Sequence, residues 1–148
     1  MDPLSIAGSV AGVATVGVAL SSALYDIIAA IRDAPKEMLQ IAQGISDLST
    51  VLRELQRVLK KARTLLRDRL LKAVSSIMCR IRDTHDKIDG LLDVDSGLAR
   101  ILWAFQRSKA TKLLATIESQ KSTIQLMATT VTLAIVQKEN NRYELPLP

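Results

Sequence analysis

Apolar positions recur along most of this chain at spacings of three and four, the signature of helices with one buried face. Ile41, Ile45, Leu48, Leu52, Leu55, Leu59, Ala62 and Leu66 form one sustained stripe. Leu70, Val74, Ile77, Ile81, Ile88 and Leu91 form another. A third, running to about Lys138, holds Leu113, Ile117, Ile124, Met127, Val131, Ala134 and Ile135. Asp2 followed by Pro3 marks a helix start, and Ala34 before Pro35 marks the close of that first segment. A break is expected near residues 66–69. A turn is expected at residues 93–97, with Ser96 capping a short fourth helix to about Arg107 and Ser108 capping a fifth. Alternating strands and turn dipeptides are scarce. The fold predicted is all-α: a helical bundle of four to five helices with a hydrophobic N-terminal helix. Residues 1–139 form the domain, and residues 140–148, rich in turn and proline signals, read as a linker end.

The first helix departs from the amphipathic rule. No charge occurs among the 23 residues 3–25. Wound as a helix, Ile6, Val10, Val13, Val16, Leu20, Leu24, Ile27 and Ile31 share one side. Gly8, Gly12, Thr15, Ala19, Ser22 and Asp26 share the other, while Leu4 and Val18 break the pattern. An ordinary surface helix carries Lys and Glu opposite its apolar stripe; here that face is small instead. Gly8 and Gly12 stand four apart, a spacing that lets helices pair closely in lipid. The segment would span roughly 35 Å, against about 30 Å for a bilayer core. Its four Ser, one Thr and three Gly make it marginal as a permanent span. A central bundle helix is the plain reading. A helix buried in the bundle in one state and in lipid in another is the functional one, with Leu4, Ile6, Val10, Val13, Val16, Leu20 and Leu24 as the inserting residues.

Charge adds a second feature. The formal net charge is +5, and Arg53, Arg57, Lys60, Lys61, Arg63, Arg67, Arg69 and Lys72 are opposed only by Glu54 and Asp68 over residues 53–72. A solvated helix face accounts for such a run. So does contact with anionic lipid head groups, at roughly 1 kcal/mol per basic residue near the surface. Nucleic acid fits less well, since single-strand binders interleave stacking aromatics, and Trp103 and Phe105 are expected inside.

Catalytic chemistry has little to stand on. His85 is the one histidine, which leaves no His-based metal set or triad. Asp83, Asp86 and Asp89 near it read as a solvated face. Cys79, alone, forms no internal disulfide and reads as a small core residue in a reducing compartment. Asp2 sits where a secretory signal would carry positive charge. No enzyme activity and no cofactor are expected.

The opening Met1-Asp2-Pro3-Leu4-Ser5-Ile6-Ala7-Gly8-Ser9-Val10-Ala11-Gly12-Val13 resembles the start of fungal HeLo-like domains. The stretches Ile101-Leu102-Trp103-Ala104-Phe105-Gln106-Arg107-Ser108-Lys109, Leu113-Leu114-Ala115-Thr116-Ile117-Glu118 and Lys121-Ser122-Thr123-Ile124-Gln125-Leu126 resemble that family too. Such domains stand at the N-terminus of fungal NOD-like receptors (STAND proteins) and of cell-death effectors. The resemblance implies an executioner that is cytoplasmic at rest. Activation makes it oligomerise and permeabilise the plasma membrane through its first helix, here residues 4–24. The partners implied are anionic lipids, further copies of itself, and an upstream receptor or downstream domain. The alternative is a non-lytic interaction module at the N-terminus of a fungal signalling receptor.

Overall fold

Five helices account for the chain's architecture: α1 (Pro3–Ala30), α2 (Lys36–Lys61), α3 (Asp68–Leu91), α4 (Leu98–Ala104) and α5 (Arg107–Tyr143). They are seen in a computed structural model whose description covers residues 2–92, 97–105 and 107–143, with the side chains of 107, 108 and 143 left aside. Among these residues there is no strand. The expected Ser96 cap, the turn over residues 93–96 and the tail from residue 144 lie outside them, as does the side chain of Ser108.

Local signals explain most helix ends. Asp2 caps α1, its Oδ1 accepting from the Leu4 N–H at 3.2 Å, with Pro3 in the first turn, where its missing N–H costs nothing. Ile31 is already extended, so α1 stops before Pro35. Glu37 opens α2 and Lys60 and Lys61 close it, each sign matched to the helix dipole. The break between α2 and α3 starts earlier than the expected 66–69: α2 ends at Lys61, and Ala62 caps it through its N–H to the Val58 carbonyl. Gly97, at φ 89°, supplies the left-handed residue ahead of α4. Helix α5 continues to Tyr143, past the expected Lys138.

Two apolar clusters stack along the bundle. One joins the start of α1 (Ile6, Val10) to the end of α2 (Leu55, Leu59), the start of α3 (Leu71, Val74) and the later part of α5 (Ile124, Val131). The other joins the end of α1 (Leu20, Leu24), the start of α2 (Met38, Ile41), the end of α3 (Ile88), α4 (Ile101) with the adjoining Phe105, and the start of α5 (Ala110, Ile117). Helices α1 and α3 therefore run one way and α2 and α5 the other. Helix α2 packs mainly on α1 and α5, and α3 closes the bundle against α1 and, more lightly, α5.

The core departs from expectation at four side chains. Trp103 is 60% exposed, with the Lys109 Nζ 5.0 Å from its ring centroid, while Phe105 is fully buried. Ile101 and Phe105 are one helical turn apart and point inward, which turns Trp103 outward. Cys79 is exposed, since the preceding Met78 takes the core position. His85 is buried rather than solvated, although Asp83, Asp86 and Asp89 beside it are exposed. Val16, expected on the aliphatic stripe, is 54% exposed, and Gly17 takes the inward position.

Candidate functional site: the first helix and the basic end of the bundle

Helix α1 divides into two faces. Ile6, Val10, Val13, Leu20 and Leu24 are buried, joined by Ala7, Ala14, Gly17 and Ser21. Leu4, at 49%, and Val16 stand out of the core, as does Val18 at 48%. Of the seven residues expected to insert in lipid, five thus form the seam against the bundle and two face solvent. Gly8 and Gly12 are exposed, and among the described residues nothing beyond the helix's own backbone and the chain neighbours lies within 4 Å of the place a Cβ would occupy. Thr15, Ala19 and Ser22 are exposed on the same helix. Over residues 3–25 the outward side is therefore uncharged, with a strip of small residues beside the exposed Leu4, Val16 and Val18. By length and composition α1 can cross a bilayer, as can many core helices of soluble proteins.

The seam contains a close crossing that the apolar spacing did not mark. A Cβ on Gly17 would lie 2.3 Å from Ser49 Oγ and 3.2 Å from His85 Cε1. Glycine is what allows α2 and α3 to approach α1 together at this level. Polar contacts flank the crossing. Ser21 Oγ donates to the Ala42 carbonyl at 2.9 Å, and Arg82 donates to Ser9 Oγ at 2.6 Å. Position 17 fits the spacing Val10, Val13, Gly17, Leu20, Leu24 better than Val16 does. Likewise Val74, Met78, Ile81, His85 and Ile88 follow an unbroken four-three pattern that puts His85 inside.

The basic residues gather at one end. Arg53, Arg57, Lys60 and Lys61 lie on the last turns of α2, Arg63 and Arg67 in the connection, and Arg69 and Lys72 at the start of α3. All eight are exposed. Arg57 is held by Glu54 through two bonds, its Nε donating at 3.1 Å, which raises the guanidinium pKa and lowers that of Glu54. Among the described residues it is the one member of the eight that is ion-paired. Because α1 and α2 are antiparallel, the same end holds the start of α1, with Leu4 and Gly8. The sequence places these features some fifty residues apart; the bundle makes them neighbours.

No described group of three His, Cys, Asp or Glu side chains is arranged to hold a metal. Exposed Leu126, Leu133 and Val136 mark α5, and a groove of about 550 Å³ between α2 and α5 is lined by Val51, Glu54, Gln125, Ala128, Thr129 and Leu133 among others.

No curated protein matches the chain. No solved structure matches it either. A family model described as the pigment biosynthesis cluster protein PigL N-terminal matches residues 1–144, and with nearly its whole length covered the chain belongs to that family.

Proposed function

We propose that this domain is a non-enzymatic, membrane-targeting cell-death executioner of the HeLo-like kind, held inactive while α1 is docked. The observation that carries this reading is the half-buried α1, uncharged over residues 3–25, starting at the same end as the exposed basic cluster. Burying Ile6, Val10, Val13, Leu20 and Leu24 is worth about 10 kcal/mol at ~2 kcal/mol each. That approaches the whole stability of a typical domain, roughly 5–15 kcal/mol. A lone domain in water keeps α1 docked. Release requires that the lost burial be offset elsewhere, and hydrocarbon offers the same apolar side chains an equivalent solvent. Seven cations with no ion-pair partner among the described residues supply attraction to anionic head groups. Clustering supplies neighbouring copies of α1, which pair through Gly8 and Gly12. The protein would rest in the cytoplasm and act at the plasma membrane, under a receptor or another domain of its own chain.

Dye-loaded vesicles test the proposal. The chain, clustered through an added inducible dimeriser, is expected to empty vesicles containing phosphatidylserine faster than neutral phosphatidylcholine vesicles. Gly12→Lys, which keeps the fold because that position is open, abolishes release. Inactivity of the clustered chain on both lipids overturns the reading. The apolar row on α5 and its groove favour a second reading, a non-lytic docking module. Under it, Leu133→Asp disrupts partner capture and Gly12→Lys changes nothing.

A further inference from the structure

His85 is the most unusual side chain in the α1 seam. It is 2% exposed, and neither ring nitrogen has a hydrogen-bond partner among the described residues. Its Cε1 and Nε2 lie 3.2 and 3.5 Å from the Cβ position of Gly17, midway along α1. It also lines a cleft of about 200 Å³ whose other walls include Val16, Leu20, Ala23, Asp86 and Asp89.

The surroundings decide what a proton would meet there. Helix α1 brings no charge from residues 3–25; its one charged residue, Asp26, is exposed nine positions beyond Gly17. Helix α2 brings the Ser49 hydroxyl, already donating to the Ile45 carbonyl at 3.0 Å. Helix α5 brings Gln120 to the adjoining Thr84, its Nε2 donating to Thr84 Oγ1 at 2.9 Å, and its buried Oε1 has no partner among the described residues. On α3 itself, Arg82 is turned to Ser9, and Asp86 and Asp89 are exposed at the cleft. Burial holds the imidazole below its ordinary value near 6.5, and the nearby Asp86 carboxylate opposes this only in part.

We propose that His85 is an acid-sensitive latch on α1, seated against Gly17 when neutral and displacing the helix when protonated. The imidazolium carries two N–H donors. Neither finds an acceptor while the seam is closed. Swinging α1 away admits water and lets the Asp86 and Asp89 carboxylates reach the ring. What the freed helix then does in lipid rests on the function proposed above; the latch itself does not.

The direction follows from linkage. The open state binds the proton near pH 6.5 and the closed state only at lower pH. Closure is therefore undiminished above about pH 6.5 and weakens as pH falls, by up to about tenfold per unit for one proton.

Hydrogen exchange tests it. Protection factors, corrected for intrinsic rates, are compared at pH 7.5 and 5.5 for the 148-residue chain, His85→Gln and His85→Leu. In the wild type, amides around Gly17 to Leu24 are expected to lose up to about tenfold protection relative to those around Leu52. Both variants are expected to lose that pH dependence, and His85→Gln reports even where His85→Leu fails to fold. No loss in the wild type, or an equal loss in a folded variant, overturns the latch. Phosphatidylglycerol vesicles, whose charge is constant over this range, separate the two ideas. Acid loosening of α1 without leakage keeps the latch and sinks the membrane reading. Leakage equal at both pH values, with α1 protection unchanged, does the reverse.

Discussion

Replacing Gly17 with alanine tests the close crossing directly. The added Cβ would stand 2.3 Å from Ser49 Oγ, a separation that real side chains do not tolerate. Ser49 must rotate, giving up its bond to the Ile45 carbonyl, a loss of about 1 kcal/mol. The contact with His85 Cε1 at 3.2 Å is tight as well, and overpacking of this kind costs about 2 kcal/mol. Against these stands the helix propensity of alanine over glycine, about 1 kcal/mol. The net expectation is a destabilisation of about 2 kcal/mol, or about 4–8 °C in Tm for a domain of this size. Gly8→Ala and Gly12→Ala provide the contrast. Among the described residues nothing beyond the helix's own backbone and the chain neighbours lies within 4 Å of either Cβ position, so only the propensity gain remains. Each is expected to raise stability by about 1 kcal/mol. Thermal and urea unfolding followed by circular dichroism measure all three. A Gly17→Ala protein as stable as Gly8→Ala would refute the crossing. The double variant Gly17→Ala with Ser49→Ala should recover about 1 kcal/mol or more relative to additivity, because the clashing oxygen is gone.

Two further predictions concern which side chains the structure puts in the core and which at the surface. Phe105→Ala is expected to cost about 3–5 kcal/mol, and Trp103→Ala under about 1 kcal/mol, by urea denaturation. Cys79 is expected to react with a maleimide in the native chain at a rate near that of a free thiol, since it is exposed. Labelling that required denaturant would contradict that placement.

The sequence was most legible where one periodic signal acted alone. In α2, each stripe residue from Ile41 to Ala62 is buried, because a single amphipathic face and a charged opposite face leave one way to pack. It was least legible in α1. With no charge to mark the outer face, Val16 and Gly17 competed for one inward position, and hydrophobicity favours the bulkier side chain although the three-four spacing favours position 17. The crossing favours the smaller one, because two helices press on it at once. His85 was misplaced for a related reason. Its acidic neighbours suggest a wet face, yet His85 falls on the inward stripe of Met78, Ile81 and Ile88, and the exposed Asp86 and Asp89 only edge the cleft it lines.

The helical class, the uncharged opening segment and the run of eight cations belong to the sequence by itself, since periodicity and charge are properties of neighbouring residues. Which valines of α1 face inward was decided only when α2 and α3 met at Gly17. The juxtaposition of the basic cluster with the start of α1 was likewise decided by the antiparallel packing of α1 and α2, across some fifty residues. The unpartnered imidazole of His85 arose the same way. Each of these depends on contacts between distant segments, and a local pattern holds no information about which distant segment will arrive.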